Sequence, residues 1–338
     1  MDQKQILEAA NVTEAEFLKS GCSIENLLAI HEHYLKLQPS LTSAAKMIAS
    51  TIQTFDKVHS VRWRVKNPDH LIKKIIRKNS EDKPQDKWKK IDTSNYLDVV
   101  TDLIGVRALH LFKDECAYID ESVRDYWELA ESVIAYVRAG EEPHQLISKR
   151  GALTKEHDGG YRSIHYIVKI QPAKLTYHAE IQVRTIFQEG WSEVDHTVRY
   201  PDFSDNAQIA IFLRLFSGLA GSADEMGLFA KDLSRVLKSA EDENRRLIEA
   251  HDRVTAELEQ ATKDVDSTFA KLENLQSKDK QSQQLITQLK KDVQKLKSSE
   301  NRIGASRLGI TQHGIQTGVT TINNIGLGLT SFLRNHDD

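Results

Sequence analysis

The chain has 338 residues, 39% of them hydrophobic and 28% charged, with a formal net charge of −3. That is enough for one large domain or two ordinary ones, and it describes a soluble protein with a core plus a polar extension. Two cysteines, Cys22 and Cys116, exclude a disulfide framework and a cysteine metal cluster, and near-neutral charge argues against bulk nucleic-acid binding.

The opening MDQKQILEAA has no basic stretch leading into an apolar run, so no secretory leader is expected, and a reducing cytoplasm fits. Residues 1–56 read as helix, with Leu7, Phe17, Leu18, Leu27, Leu28, Tyr34 and Leu35 at roughly helical spacing. SLTSAAKMIASTIQTF is expected to be a further helix capped near Ser40 or Thr42. Residues 57–222 alternate strand and helix signals. The strand-like pieces are SVRWRVK, LIGVRALHLF, SIHYIVKI and YHAEIQVRT. The helices expected between them are PDHLIKKIIRK, DECAYIDESVRDYWELAESVIAYVRA and IFQEGWSEVDHTVR. This order predicts an α/β (α+β) domain, a mixed β-sheet flanked by helices.

Residues 223–300 change character. From Leu247 a heptad runs to Leu296, and eleven of its fifteen seam positions are apolar. That pattern predicts a coiled-coil arm that associates with a second chain or folds back. Asp279 and Ser282 interrupt the seam; self-association is the favoured reading, and Leu275 and Asp279 mark where a fold-back would turn. The tail, 301–338, carries no formal charge between Arg307 and Arg334. Its Thr, Asn and Gln content argues for a packed helix and against a transmembrane span.

Chemistry concentrates in the middle zone. Residues 57–90 hold twelve Lys/Arg against four Asp/Glu. Arg62 and Arg64 share a strand face, Lys66 continues it, and Lys73, Lys74 and Arg77 follow in the next helix. Cations around a helix start form a polyphosphate cradle, although an exposed basic strand and helix read the same way. Asp102 opens a strand, Gly105 allows close approach, and Arg107 follows. An aspartate there suits Mg²⁺ or merely caps the strand. In HDGGYRSIHYIVKI, the pair Gly159-Gly160 suits a turn that sets Tyr161, Arg162 and His165 at a strand mouth, with the Tyr161 ring available to stack on a base. Glu180, Gln182 and Arg184 share one face of a strand whose Ile181 and Val183 face the core. Such a row is costly unless it serves a ligand or is satisfied internally. Trp191, Val194 and Val198 read as core, and His196 either faces a ligand or is satisfied within the fold. Together these groups are the inventory of a nucleotide phosphotransferase. No GxxxxGK[ST] or kinase-type glycine loop occurs, which sets those families aside.

RVKNPDHLIKK, DLIGVR, GGYRSIHY and EIQVRT, in that order, resemble the synthetase domain of the RelA/SpoT alarmone family over about residues 57–205. The resemblance implies transfer of the β,γ-pyrophosphate of ATP to the 3′-hydroxyl of GTP or GDP. It implies that Arg62, Arg64, Lys66, Lys73, Lys74 and Arg107 hold ATP. Asp102 and Glu180 would hold Mg²⁺, with Glu180 also taking the hydroxyl proton. Tyr161, Arg162, His165, Gln182, Arg184 and His196 would form the acceptor side. The chain departs from the family at His70, in the loop HQLISKRGALTKEHDGG, and at Glu189, where several small synthetases carry asparagine. These departures leave open an acceptor among adenine nucleotides or the tRNA 3′ end, and a nucleotide-sensing scaffold without activity stays open as well. The hydrolase domain of the family needs HDxxED. Here His157-Asp158, His251-Asp252 and His336-Asp337 lack the following acids.

Overall fold

Short polar caps start the first helices. The computed structural model describes residues 2–157, 159–172, 174–199, 206–275 and 280–305. It opens with α1 (Gln3–Ala9), α2 (Glu14–Ser20) and α3 (Ile24–Ile52). The side chains of Asp2, Thr13 and Ser23 accept from the backbone N–H of Gln5, Glu16 and Asn26. The separate helix expected from Ser40 does not exist, because α3 runs through Pro39. Ile30 and Tyr34 before the proline, and Leu41, Ala45, Ile48 and Ile52 after it, are all buried at helical spacing. Burying that continuous stripe outweighs a proline cost of about 3 kcal/mol. Leu35 falls off the stripe and is exposed, as is Leu18 of α2.

β1 (Ser60–Val65) leads through the Asn67 cap into α4 (Pro68–Asn79), whose proline occupies the first turn. Two short helices, α5 (Asp86–Lys89) and α6 (Tyr96–Val99), precede β2 (Ile104–His110). Next come α7 (Cys116–Tyr126), β3 (Ile134–Val137), α8 (Gln145–Lys149), β4 (Leu153–Glu156), β5 (Ser163–Ile170), β6 (Tyr177–Thr185) and α9 (Ile186–Arg199). The long helix expected over residues 114–139 thus stops at Tyr126. Trp127 turns extended and packs on Phe55, and Ala135 and Val137 are buried in β3 with less buried neighbours between. β4 is exposed along its length and joins the sheet by backbone pairing alone, so no apolar pattern announces it.

The sheet order is β1-β2-β6-β5-β3-β4. The β2/β6 and β3/β4 pairs are parallel and the others antiparallel. One face is core: Ile104, Val106, Ala108, Tyr166, Val168, Ala179, Ile181 and Val183 are buried. α3 and α7 pack on it, with Ser40 Oγ 3.1 Å from Tyr177 Oη and Tyr166 Oη donating to Asp120 Oδ1 at 2.8 Å. The opposite face carries the polar rows.

Helices α10 (Ala207–Leu275) and α11 (Lys280–Ala305) complete the described chain. Contacts divide the chain into two units, Met1–Lys238 and Ser239–Asp338. In the first, Leu213, Ser217, Ala220 and Asp224 of α10 are buried. Trp191 Nε1 donates to the Leu213 carbonyl at 2.8 Å, and Lys231 pairs with Asp114 at 2.8 Å. In the second, the seam residues Leu247, Val254, Leu258, Val265 and Leu272 are exposed, whereas Ile286 is buried. α10 does end at Leu275, but Asp279, the side chain of Ser282 and residues 306–338 of the tail lie outside what is described. Among the described residues no helix is long and apolar enough to cross a membrane.

Asp224 is an exception in this packing. It is buried, lining a cavity of about 90 Å³ with Thr185 and Gln188. Its Oδ2 accepts from Gln188 Nε2 at 2.9 Å, and its Oδ1 has no hydrogen-bond partner. Burial pushes its carboxyl pKa up, against the lowering by Gln188 and Thr185. A raised acid costs nothing while both folded and unfolded states are protonated. Stability is lost as pH rises from there through the raised value. Asp224→Asn should therefore raise the melting temperature at pH 7.5, and the gain should vanish below about pH 4, the ordinary aspartate range. Thermal denaturation across pH checks this, and a melting temperature lowered at pH 7.5 would contradict it.

Candidate active site

Register turns the polar face into rows. Arg62 pairs with Arg107, Arg107 with Gln182, and Gln182 with His165. In the next row Arg64 pairs with Gly105 and Gly105 with Glu180. Residues directly paired across strands project from the same face. Six chemically capable side chains from four strands therefore stand together. Gly105 keeps the floor low: a Cβ there would sit 3.4 Å from Arg64 Cγ and Nε, so the arginine side chain lies across it. The result is a cleft of about 210 Å³ lined by Arg62, Arg64, Arg107, Glu180, Gln182, Glu193 and His196.

Glu180 is held at both oxygens. Oε1 lies 3.1 Å from His165 Nδ1, and Oε2 accepts from Gln182 Nε2 at 2.9 Å. Burial pushes its pKa up, but the His165 and Gln182 contacts win, and the carboxyl sits below its ordinary value. It is ionised at neutral pH. His165 Nε2 in turn lies 3.0 Å from Tyr161 Oη, so Tyr161, His165 and Glu180 form one hydrogen-bonded chain. The Arg184 guanidinium lies 5.5 Å from the Tyr161 ring centroid. Burial raises the Tyr161 pKa and keeps the phenol neutral.

Asp102, just before β2, lies 2.8 Å from Lys74 Nζ and 3.0 Å from Lys66 Nζ. Burial works to raise its pKa, and the two ammonium groups outweigh that and hold it low. Burial, against the Asp102 charge, lowers the Lys66 pKa. Asp102 also acts to raise Glu180, so the two carboxylates feel one another.

Other expected site residues sit elsewhere. The charge of Lys73 acts on Glu16 of α2, away from this cleft. Arg162 makes a two-pronged contact with Glu141, both bonds 2.6 Å, and donates to the Ser217 carbonyl of α10 at 3.3 Å. It lines the second cavity, not the cleft. Arg184 is buried, donating to Ser192 Oγ at 2.9 Å. Val194 and Val198, expected in the core, are exposed; only Trp191 of that trio is buried.

Two groups escaped the reading of the sequence as site residues. Glu189 of α9 is buried and meets three arginines: Arg62 at 2.9 Å, Arg107 at 3.0 Å and Arg184 at 2.7 Å. Glu193 pairs with Arg62 at 3.2 Å and also with Arg107. Their i, i+4 spacing, which puts both on one side of α9, was the available signal.

Residues 63–205 match the family described as a region found in RelA / SpoT proteins. GTP pyrophosphokinase YwaC of Bacillus subtilis (strain 168) is 23% identical over 181 residues, covering 52% of this chain and 74% of that protein. A GTP pyrophosphokinase family protein from Streptococcus pneumoniae aligns with TM-score 0.44 and 17% identity, over 64% of this chain and 97% of that one. Small alarmone synthetase 1 of Bacillus subtilis, bound to its product pppGpp, aligns with TM-score 0.42 and 18% identity, over 59% and 96%.

Glu189→Ala would leave the buried Arg184 and its two neighbours facing each other. Removing one partner of a buried ion pair costs about 3–5 kcal/mol. We expect the lower part of that range, because Arg62 is 54% exposed. Denaturant unfolding of Glu189→Ala beside wild type measures it, and an unchanged midpoint would mean that Glu189 does not hold the three arginines together.

Proposed function

Starting from residues 63–205 as a RelA/SpoT-family domain, we propose that the chain moves the β,γ-pyrophosphate of ATP to the 3′-hydroxyl of GTP or GDP, making pppGpp or ppGpp. The observation that carries the reading is Glu180: an ionised carboxylate on the floor of a cleft whose rim is Arg62, Arg64 and Arg107. Arg64, Lys66 and Lys74 hold the donor phosphates. Tyr161 supplies the ring on which the acceptor base stacks, its hydroxyl fixed by His165. Glu180 takes the proton of the attacking hydroxyl, and His165 and Gln182 keep it aimed.

Mg²⁺ fits the donor set. Asp102 and Glu180 offer hard oxygens, and Asp102 Oδ1 is buried without a hydrogen bond of good geometry, despite lying near Lys74. Mg²⁺ is ordinarily held by one or two carboxylates plus substrate phosphates. Asp102 and Glu180 would hold the ion, which when bound neutralises charge on the transferred group. A polar chain with two free cysteines suits a reducing compartment, and the cytoplasm is the setting we assign to this chemistry.

Glu180→Gln should keep the fold and lower turnover roughly 10²-fold or more, on the scale of lost transition-state charge stabilisation. The assay is purified full chain with labelled ATP, offered GDP, GTP, AMP, ATP and tRNA in turn. Near-normal turnover in a folded Gln variant would sink the assignment. A product from AMP, ATP or tRNA alone would move the acceptor away from guanine nucleotides.

We also propose that the second unit self-associates. Leu247, Val254, Leu258 and Val265 lie exposed at coiled-coil spacing, an apolar stripe that water disfavours. The double substitution Leu258→Glu, Val265→Glu in the full chain should halve the mass seen by light scattering at micromolar concentration. A wild-type monomer would refute the proposal.

A further inference from the structure

α9 brings two carboxylates, one turn apart, to the same arginines, and the two are not equivalent. Glu189 is buried and locked to Arg184 as well as to Arg62 and Arg107. Glu193 is 40% exposed, lines the cleft, and among the described residues its carboxylate contacts only Arg62 and Arg107. Arg64, in the same cleft, has no ion-pair partner among the described residues. Carboxylate and phosphate present the same oxygen geometry to a guanidinium fork. A phosphate approaching Arg62 and Arg107 therefore meets a seat already taken, in part by a carboxylate that is 40% exposed.

We propose that Glu193 is a displaceable counter-ion, a built-in competitor that holds Arg62 and Arg107 until the polyphosphate of a nucleotide replaces it. The inference rests on the reading of this cleft as the polyphosphate site. Displacement multiplies the intrinsic affinity by the fraction of molecules in which Glu193 has left the two arginines. Two consequences follow. Every ligand that uses Arg62 and Arg107 through phosphate is weakened by the same factor, and a ligand without phosphate is not weakened at all. Once bound, the ligand no longer feels the competitor, so Glu193 affects binding and not the chemical step. Glu189 stays in place throughout and keeps the arginines aimed.

The test is calorimetric titration of the full chain with ATP, inorganic tripolyphosphate and adenosine. Glu193→Gln should tighten ATP and tripolyphosphate by one common factor of roughly 2–5, the upper part of the range for a partly exposed ion pair, and leave adenosine unchanged. In turnover assays the KM for ATP should fall with kcat held. Asp195→Asn is the control. Asp195 pairs with Arg199 on the same helix at 2.8 Å, so this change removes equal charge without freeing the two arginines, and it should change nothing. Equal tightening by Asp195→Asn, or no tightening by either Glu193→Gln or Glu193→Ala, overturns the proposal. Tripolyphosphate that tightens as expected, in a chain that transfers no pyrophosphate, would leave the inference standing and remove the functional reading.

Discussion

Three guanidinium groups, those of Arg62, Arg107 and Arg184, converge on one buried carboxylate, Glu189. A sheet face with several arginines in adjacent strands repels itself, and Arg107 and burial both press on the charge of Arg184. A carboxylate placed among them turns repulsion into a fixed array. That requirement fixes α9. With Glu189 over the sheet, Trp191 is carried into the core, and its indole N–H reaches the Leu213 carbonyl of α10. The placement of two helices thus follows from the need to hold one row of cations.

The same sheet has an opposite duty on its other face. Ile181 and Val183 are buried where Glu180 and Gln182 are not fully so, residue by residue along β6. Period-two alternation wrote this plainly, and so EIQVRT announced both a core strand and a polar row. Register was not written there. That Arg62 stands beside Arg107, then Gln182, then His165 depends on four strands pairing across long stretches of chain. Two of the three arginine partners of Glu189, Arg62 and Arg107, lie 127 and 82 residues away, which no local pattern reports. Arg162 is a second contact that no local pattern reports. It sits beside Tyr161 in the motif, yet its guanidinium is spent on Glu141 and on α10.

Elements were legible where periodicity was long. The four major strands and α4 and α9 lie where their patterns put them. β3 was not legible, because IAYV has the apolar content of a helix turn and pairing with β5 and β4 makes it a strand. α3 misleads in the other direction. Pro39 signals a break, and a buried stripe on both sides of it carries the helix through.

The two halves of the site are supported separately. The arginines depend on α9, whereas Tyr161 depends on α10. Gly160 has φ +78, and a Cβ there would lie 2.5 Å from Ser217 Oγ, which itself donates to the Gly160 carbonyl at 2.9 Å. Gly221, one turn on, leaves room for the Arg162 guanidinium, which a Cβ would approach to 2.8 Å. The positive φ at Gly160 favours glycine there, and at Gly221 an added Cβ would require the Arg162 guanidinium to shift. The turn bearing Tyr161 is therefore moulded against α10. A small shift of that helix along its axis would move Gly160 and the Tyr161 hydroxyl that His165 contacts. Glu180 would keep its bond to Gln182 on β6. The turn bearing Tyr161 is thus tied to α10 directly, whereas the arginines reach α10 through Glu189 and Trp191 of α9.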